Sequence, residues 1–496
     1  MKQQQKLLTF SDLEFFTLVS EAGLANPFSI ERDALDMKIA GVGVDVDPDE
    51  RLKKAVFEVE KMIRKLKANN MATLDKYYGE TKIMMSHVFL FEFFYKFKEK
   101  FDHHIMEQIK SKEEPIKVPF AKDAFSLLSR RGFSDCDINR YFSMGFQVRR
   151  AFYFIDRNLI GRSPSMQTLR LNLWNNIFTH NLMIYVDYLW NRMEDFSTLI
   201  LGETGTGKGT AAKAIGRSGF IPFNEKSEMF EESFSKSFVS INLSQFPETL
   251  IESQLFGHKK GSFTGAVNDY QGALDRLSPY GSILLDEIGE VTETLQIKLL
   301  QVLQERFFIP LGSQQKREFK GRVITATNRP AEDIRKGGIF RDDFFYRLCS
   351  DIITVPPLRN RIREDKNELT DLISLLIRRM FSRDSAELVA ITLEIIEKEL
   401  GWGYSWPGNV RELEQCVRRI LLKNSYIGES EKMKAVNLPA ERLMDGIFSG
   451  KMDAKSLVSA YCAYLYENNS TYEETARITG LDRRTVKKYI AEWEEN

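Results

Sequence analysis

Long apolar runs are missing from this chain: nowhere in its 496 residues do the roughly 18 uncharged apolar residues needed to span a bilayer follow one another. The opening MKQQQKLLTFSDLEFF likewise lacks the apolar centre and small-residue cleavage site of a secretory signal, so the expectation is a cytoplasmic protein with no membrane contact. Cysteine is scarce. Cys136, Cys349, Cys416 and Cys462 lie far apart, with no CxxC pair and no nearby His pair, which excludes a disulfide framework and a zinc site. His87, His103 and His104 have no ligand partners at useful spacing. Charge of one sign is also lacking, since 70 Lys and Arg balance 70 Asp and Glu. Any basic surface must therefore be local. No internal repeat is visible, and no low-complexity tract beyond Gln3–Gln5. What the chain does have is 43% apolar residues, 36 of its residues being Phe, over a length that suits roughly three domains.

Residues 1–158 read mostly as helix. HVFLFEFFYKFKEKF sets Phe89, Phe93, Phe97 and Phe101 along one side of a helix. A face packed into a core is the simpler reading, and an aromatic ligand pocket the alternative. Val44–Asp49 looks like the start of a calcium loop, but Glu50 stands where Gly is needed and Val56 where a bidentate Glu is needed. The better expectation is a strand end, an Asp47 cap and a helix opened by Pro48. From Leu159 onward apolar strands alternate with amphipathic helices, as in a parallel sheet covered on both faces. The expected strands are 198–201, 238–242, 282–285, 322–326 and 351–355. Residues 428–454 read as a charged linker and 455–496 as a small helical unit. The fold class is multidomain and mainly α/β.

Directly after the strand TLIL comes GETGTGKGT, from Gly202 through Glu203, Thr204, Gly205, Thr206, Gly207, Lys208 and Gly209 to Thr210, followed by a helical stretch. Glycines let backbone N–H groups converge on phosphate oxygens, the helix adds its positive end, and Lys208 reaches the outer phosphates. This is a P-loop. Gly209 stands where a Ser or Thr hydroxyl normally touches Mg²⁺, so the metal must lean on other ligands, with Thr210 or water assisting. SILLDEIGE supplies them, placing Asp286 and Glu287 at the end of a buried strand. Asp286 can hold Mg²⁺ through water and Glu287 can polarise the attacking water. Together these residues predict ATP or GTP hydrolysis.

GETGTGKG, GSFTGA, LLDEIGE, TATNRP, FRDDFFYRL and WPGNVREL occur in that order. The set resembles the AAA+ ATPase domain of bacterial sigma-54-dependent transcriptional activators, in a divergent form. The resemblance covers about residues 159–422 and implies an α/β subdomain over 159–356 and a helical lid over 357–427. It also implies ATP and Mg²⁺ as cofactors. Asn242 matches the family's switch residue, which would hold Glu287 off the water until a partner engages. Thr327 and Asn328 match the first sensor, Arg411 the second, and Arg341 and Arg347 a pair of arginine fingers that complete the neighbouring subunit's site. The active form is then a homo-oligomeric ring, a hexamer by that resemblance. Ser262 replaces the first Ala of the family's GAFTGA loop, where Phe263 and Thr264 would grip sigma-54 bound to RNA polymerase. Further departures are Gly209, where the family commonly has Glu, Tyr280, and longer stretches over 171–196 and 215–238.

TYEETARITGLDRRTVKKYIAEW reads as helix, turn at Gly480 and second helix from near Asp482. Arg483, Arg484, Lys487 and Lys488 lie at spacings that put most of them on one side of that helix, where they could meet phosphates and base edges of DNA. A bundle with a solvated charged face is the plainer alternative, since residues 451–496 hold 7 Lys and Arg against 8 Asp and Glu. The segment resembles the Fis-like helix-turn-helix that ends these activators and implies binding to upstream, enhancer-like sites. The whole then reads as an ATP-driven activator, with residues 1–158 regulatory and of unknown type. Rival readings are an AAA+ ATPase that remodels another protein and a DNA-binding regulator with weak ATPase.

Overall fold

The computed structural model describes residues 8–336, 338–428, 443, 452–469 and 471–494. Contacts divide the chain into two units, one comprising Met1–Ser385 with Gly408–Glu414, the other Ala386–Pro407 with Gln415–Asn496.

The first unit begins with helices α1 (Phe10–Leu24), α2 (Ile30–Ala40), α3 (Pro48–Ala68), α4 (Gly79–Ser111), α5 (Ala121–Arg130), α6 (Asp135–Asn158) and α7 (Pro164–Phe178). Local chemistry sets their starts. Thr9 and Asp12 form a reciprocal capping box ahead of α1. Asp47 accepts from the Asp49 and Glu50 amides, with Pro48 at the first helical position of α3. The strand end expected ahead of Asp47 is instead a turn, because Val44 is exposed and has no neighbouring strand to pair with.

Helix α4 carries Phe89, Phe93, Phe97 and Phe101 fully into the interior. They meet rings from α6: the Phe101 ring centroid lies 5.6 Å from Phe142 and 6.1 Å from Phe146. The long segment after the P-loop helix joins the same cluster. Its two-residue hairpin, Phe223–Asn224 with Met229–Phe230, sets Phe230 4.0 Å from Phe146, and Phe234 lies 5.5 Å from Phe154. One apolar core consequently runs from α1 through the hairpin to the P-loop helix and the sheet. Buried polar groups reinforce the join. Arg150 donates to the carbonyls of Arg217 and Gly219 at 2.9 and 2.7 Å, and Gln147 donates to that of Ser218 at 2.9 Å.

The sheet has five parallel strands, β1 (Thr198–Leu201), β2 (Phe238–Asn242), β3 (Ser282–Asp286), β4 (Arg322–Thr327) and β5 (Asp351–Thr354), in the order β2-β3-β4-β1-β5. All five expected strands are present. β3 and β4 run one residue further because the ladder does, Asp286 pairing in register with Asn242 and Thr327 with Leu201, and β5 stops one residue short of the expected 355.

In the second unit, helices Ala454–Asn469, Tyr472–Thr479 and Arg483–Glu494 close around Cys462, Val486 and Ile490. Gly480, with φ 71°, takes the left-handed conformation that ends the middle helix. The linker expected over 428–454 lies almost wholly outside the described residues. No described helix is long and apolar enough to cross a membrane, and no group of three metal-ligating side chains occurs among the described residues.

Candidate nucleotide site and its neighbouring loop

All four residues of β1 are buried, and the chain leaves the strand through the glycine loop into the helix Lys208–Gly216. Gly205 and Gly207 have φ of 81° and 107°, values that side chains resist. At Gly205 a Cβ would also meet the Gly408 carbonyl at 2.2 Å. Lys208 is buried at the first turn, and its Nζ donates to the Gly202 and Glu203 carbonyls at 2.8 and 3.2 Å. Burial pulls its pKa down, the carboxylates of Glu287 and Asp286 oppose that pull, and Arg411 adds to it. The ammonium thus stands where a phosphate would relieve its desolvation.

The C-terminal ends of parallel strands gather the other candidates. Asp286 lies between Asn242 and Ala326 in the ladder, so the carboxylate pair, the switch candidate and the strand of the sensor candidates share one edge. Glu287 has φ 57°, and its Oε2 accepts from the Asn328 amide at 3.4 Å. The Asn328 side chain donates to Thr204 Oγ1 at 3.3 Å, bridging the P-loop and the carboxylate. Thr327 is buried and accepts from the Arg329 amide at 3.2 Å. Asn242 turns its amide oxygen to Ser244, accepting at 2.9 and 2.7 Å, so Glu287 is held by Asn328 here. Thr206 Oγ1 donates to the Glu203 carbonyl at 2.9 Å. Gly209 offers no side-chain ligand, and Thr210 follows it on the first turn.

Two residues escaped the sequence reading. Arg359 grips Glu203 with both nitrogens, at 2.7 and 2.5 Å. Asn409 donates to Glu203 Oε2 and to the Thr204 carbonyl, both at 3.1 Å, and accepts from the Leu358 amide at 2.8 Å. With Val410 N–H on the Gly205 carbonyl at 3.1 Å, this ties residues 408–411 to the P-loop and brings Arg411 over it. Asn409 lies in the string WPGNVREL; nothing near Arg359 in the sequence signals its partner.

Arg341 is exposed and paired with Glu293 and Asp343 at 2.8 and 3.0 Å, while Arg347 donates to the Leu303 carbonyl at 3.0 Å. Their contacts are with these groups rather than with the P-loop of their own chain. The GSFTGA loop rises from a short antiparallel pairing of His258 with Tyr270, braced by the ion pair of Lys259 with Asp269 at 2.6 Å. Its tip folds on itself, Gly261 N–H to the Ala266 carbonyl at 2.8 Å. The Phe263 ring rests edge-on against His258 at 4.9 Å, half-buried, and Thr264 is exposed.

At the C-terminal end, Asp482 caps the last helix, accepting from the Arg484 amide at 2.9 Å. Arg483, Arg484, Lys487 and Lys488 are all exposed on it. Arg483 pairs with Glu473 at 2.8 Å and Lys488 lies 3.9 Å from Glu492. Arg484 and Lys487 form no ion pair among the described residues.

A parallel sheet in this order, with a phosphate loop after β1 and a carboxylate pair ending β3, defines a P-loop nucleotide-binding fold of the AAA+ type. Residues 186–354 match the family described as the Sigma-54 interaction domain. The chain is 39% identical over 257 residues to the regulatory protein AtoC of Escherichia coli (strain K12), covering 51% of each chain. It is 31% identical over 365 residues to the DNA-binding transcriptional regulator NtrC of Azospirillum brasilense, covering 67% of this chain and 68% of that one. To the transcriptional regulatory protein ZraR of Klebsiella oxytoca it is 32% identical over 331 residues, covering 66% and 67%. The match thus spans about half the length of AtoC and about two-thirds of the other two. The chain belongs to the sigma-54-dependent transcriptional activator family.

Proposed function

We propose that the protein hydrolyses ATP to remodel RNA polymerase holding sigma-54, and that it binds upstream DNA through its last helix. The observation that carries this reading is the GSFTGA loop, folded on its own pairing with Thr264 exposed, in a chain that also gathers P-loop, carboxylates and candidate sensor strand at one sheet edge. Backbone amides of the P-loop and the start of its helix bind the phosphates. Lys208, released from the Gly202 and Glu203 carbonyls, turns to them. Asp286, with Thr210 in place of the hydroxyl that Gly209 lacks, fits a Mg²⁺ ion, because acidic and hydroxyl oxygens suit a hard cation. Bound there, the ion would neutralise charge developing on the phosphates. Glu287 orients the attacking water and accepts its proton, and Asn328, touching both Glu287 and Thr204, senses whether the outer phosphate is present.

Arg341 and Arg347 bond to groups outside their own P-loop, which supports a role in trans: they complete a neighbour's site in a ring, most simply a hexamer. Arg483, Arg484, Lys487 and Lys488 present a basic helix face to DNA, and a chain acting on polymerase works in the cytoplasm. The test is ATP-dependent open-complex formation on a sigma-54 promoter. Thr264→Ala should abolish it while ATP hydrolysis persists, and Lys208→Ala should abolish both. Open complexes formed normally by Thr264→Ala would refute the activator reading.

A further inference from the structure

Helices α1, α2, α3, α4, α6 and α7 do not close fully on one another. They enclose a cavity of about 550 Å³, within the range of roughly 300–1,000 Å³ typical of small-molecule sites. Its walls are ring-rich, with Phe91, Phe94, Tyr141, Phe152 and Trp174 among them. The cavity's charges are mostly spoken for. Arg32 is committed to Asp36 at 3.0 Å, to the Tyr95 hydroxyl at 2.6 Å and to the Ala22 carbonyl at 2.8 Å. Arg149 is committed to Asp102. Asp33 lies 3.9 Å from Arg51, and Asp49 and Asp187 are exposed to solvent. Lys98 differs. It lines the cavity half-buried, with no ion pair and no hydrogen bond among the described residues.

We propose that this cavity is a binding site for a small aromatic acid, whose rings lie among the aromatic walls and whose carboxylate meets Lys98. An apolar chamber rewards ring burial, and an ammonium partly removed from water gains most from an opposite charge. Burial, with Arg149 adding to it, pulls the Lys98 pKa down against the opposing pull of the Asp102, Asp49 and Glu99 carboxylates, none of which is within ion-pair distance. The site is separate from the nucleotide site, and neither ATP hydrolysis nor polymerase is needed to test it.

Calorimetry on the full chain with 1-naphthaleneacetate, against the near-isosteric 1-naphthaleneacetamide, decides the matter. The acid should bind saturably and at least about tenfold more tightly than the amide, the preference given by one charge-assisted contact. Lys98→Met should lower acid affinity to that of the amide and leave amide binding unchanged, whereas Lys98→Arg should retain the preference. Leu90→Trp, which puts an indole into the lining, should abolish binding of both. Equal affinity of the wild-type protein for acid and amide, or no binding of either at millimolar concentration, would overturn the proposal. So would acid binding that survives Lys98→Met unchanged.

Discussion

His104 shows how much one side chain's surroundings decide. It lies buried among Phe120, Phe146 and Phe230, and burial, with Arg150 nearby, pulls its pKa from 6.5 down to about 4. Between those values the unfolded chain binds a proton that the folded one refuses. Stability is therefore fully present above pH 6.5 and falls as pH drops toward 4, by on the order of 3 kcal/mol. Urea denaturation at successive pH values should show this slope, and His104→Phe should flatten it. In the sequence His104 has no ligand partner at useful spacing, and the structure gives it an aromatic cage. The residues of the nucleotide site divide along similar lines. Lys208 and Asp286 were legible because loop spacing and strand ends fix where such side chains go. Arg359 and Asn409 were not, because their partner Glu203 is chosen by chain segments that meet only in three dimensions.

Among elements, the hairpin Phe223–Asn224 with Met229–Phe230 ties the segment after the P-loop helix into the aromatic core. Phe230 stacks 4.0 Å from Phe146 and 5.9 Å from Phe142 with almost no exposed surface. Phe230→Ala should cost about 3–5 kcal/mol, read from the denaturation midpoint. From sequence the stretch was visible only as an excess of length; its destination depends on rings supplied by α4 and α6. The five strands, in contrast, were readable to within a residue, since short apolar runs bounded by polar turns leave few alternatives in a covered parallel sheet. The last helix admits a test of its own. Replacing Arg484 and Lys487 together by Ala should weaken DNA binding across all sequences. The slope of log affinity against log salt should fall by about 2, close to one for each phosphate no longer neutralised.

For the whole molecule, the decisive fact is that the N-terminal helices and the sheet share a core. Buried apolar residues of the helices, such as Phe101 and Phe146, and of the sheet, such as Ile200 and Ile324, belong to one cluster, and Arg150 and Gln147 are hydrogen-bonded to the backbone that follows the P-loop helix. Calorimetric melting of the full chain should show the N-terminal helices and the sheet unfolding in a single transition, since they share one apolar cluster. Removal of residues 1–158 should leave Phe223, Phe230 and Phe234 without their partners and give an aggregating product rather than a free-standing ATPase. Alternation of strand and helix marked the sheet in the sequence, but nothing there marked the aromatic packing that fuses it to the helices. That fusion also constrains grafting. The unit to transplant is therefore discontinuous: a chimera that grafts these N-terminal helices onto another sheet has to carry residues 215–238 with them, because Phe146 stacks on Phe230.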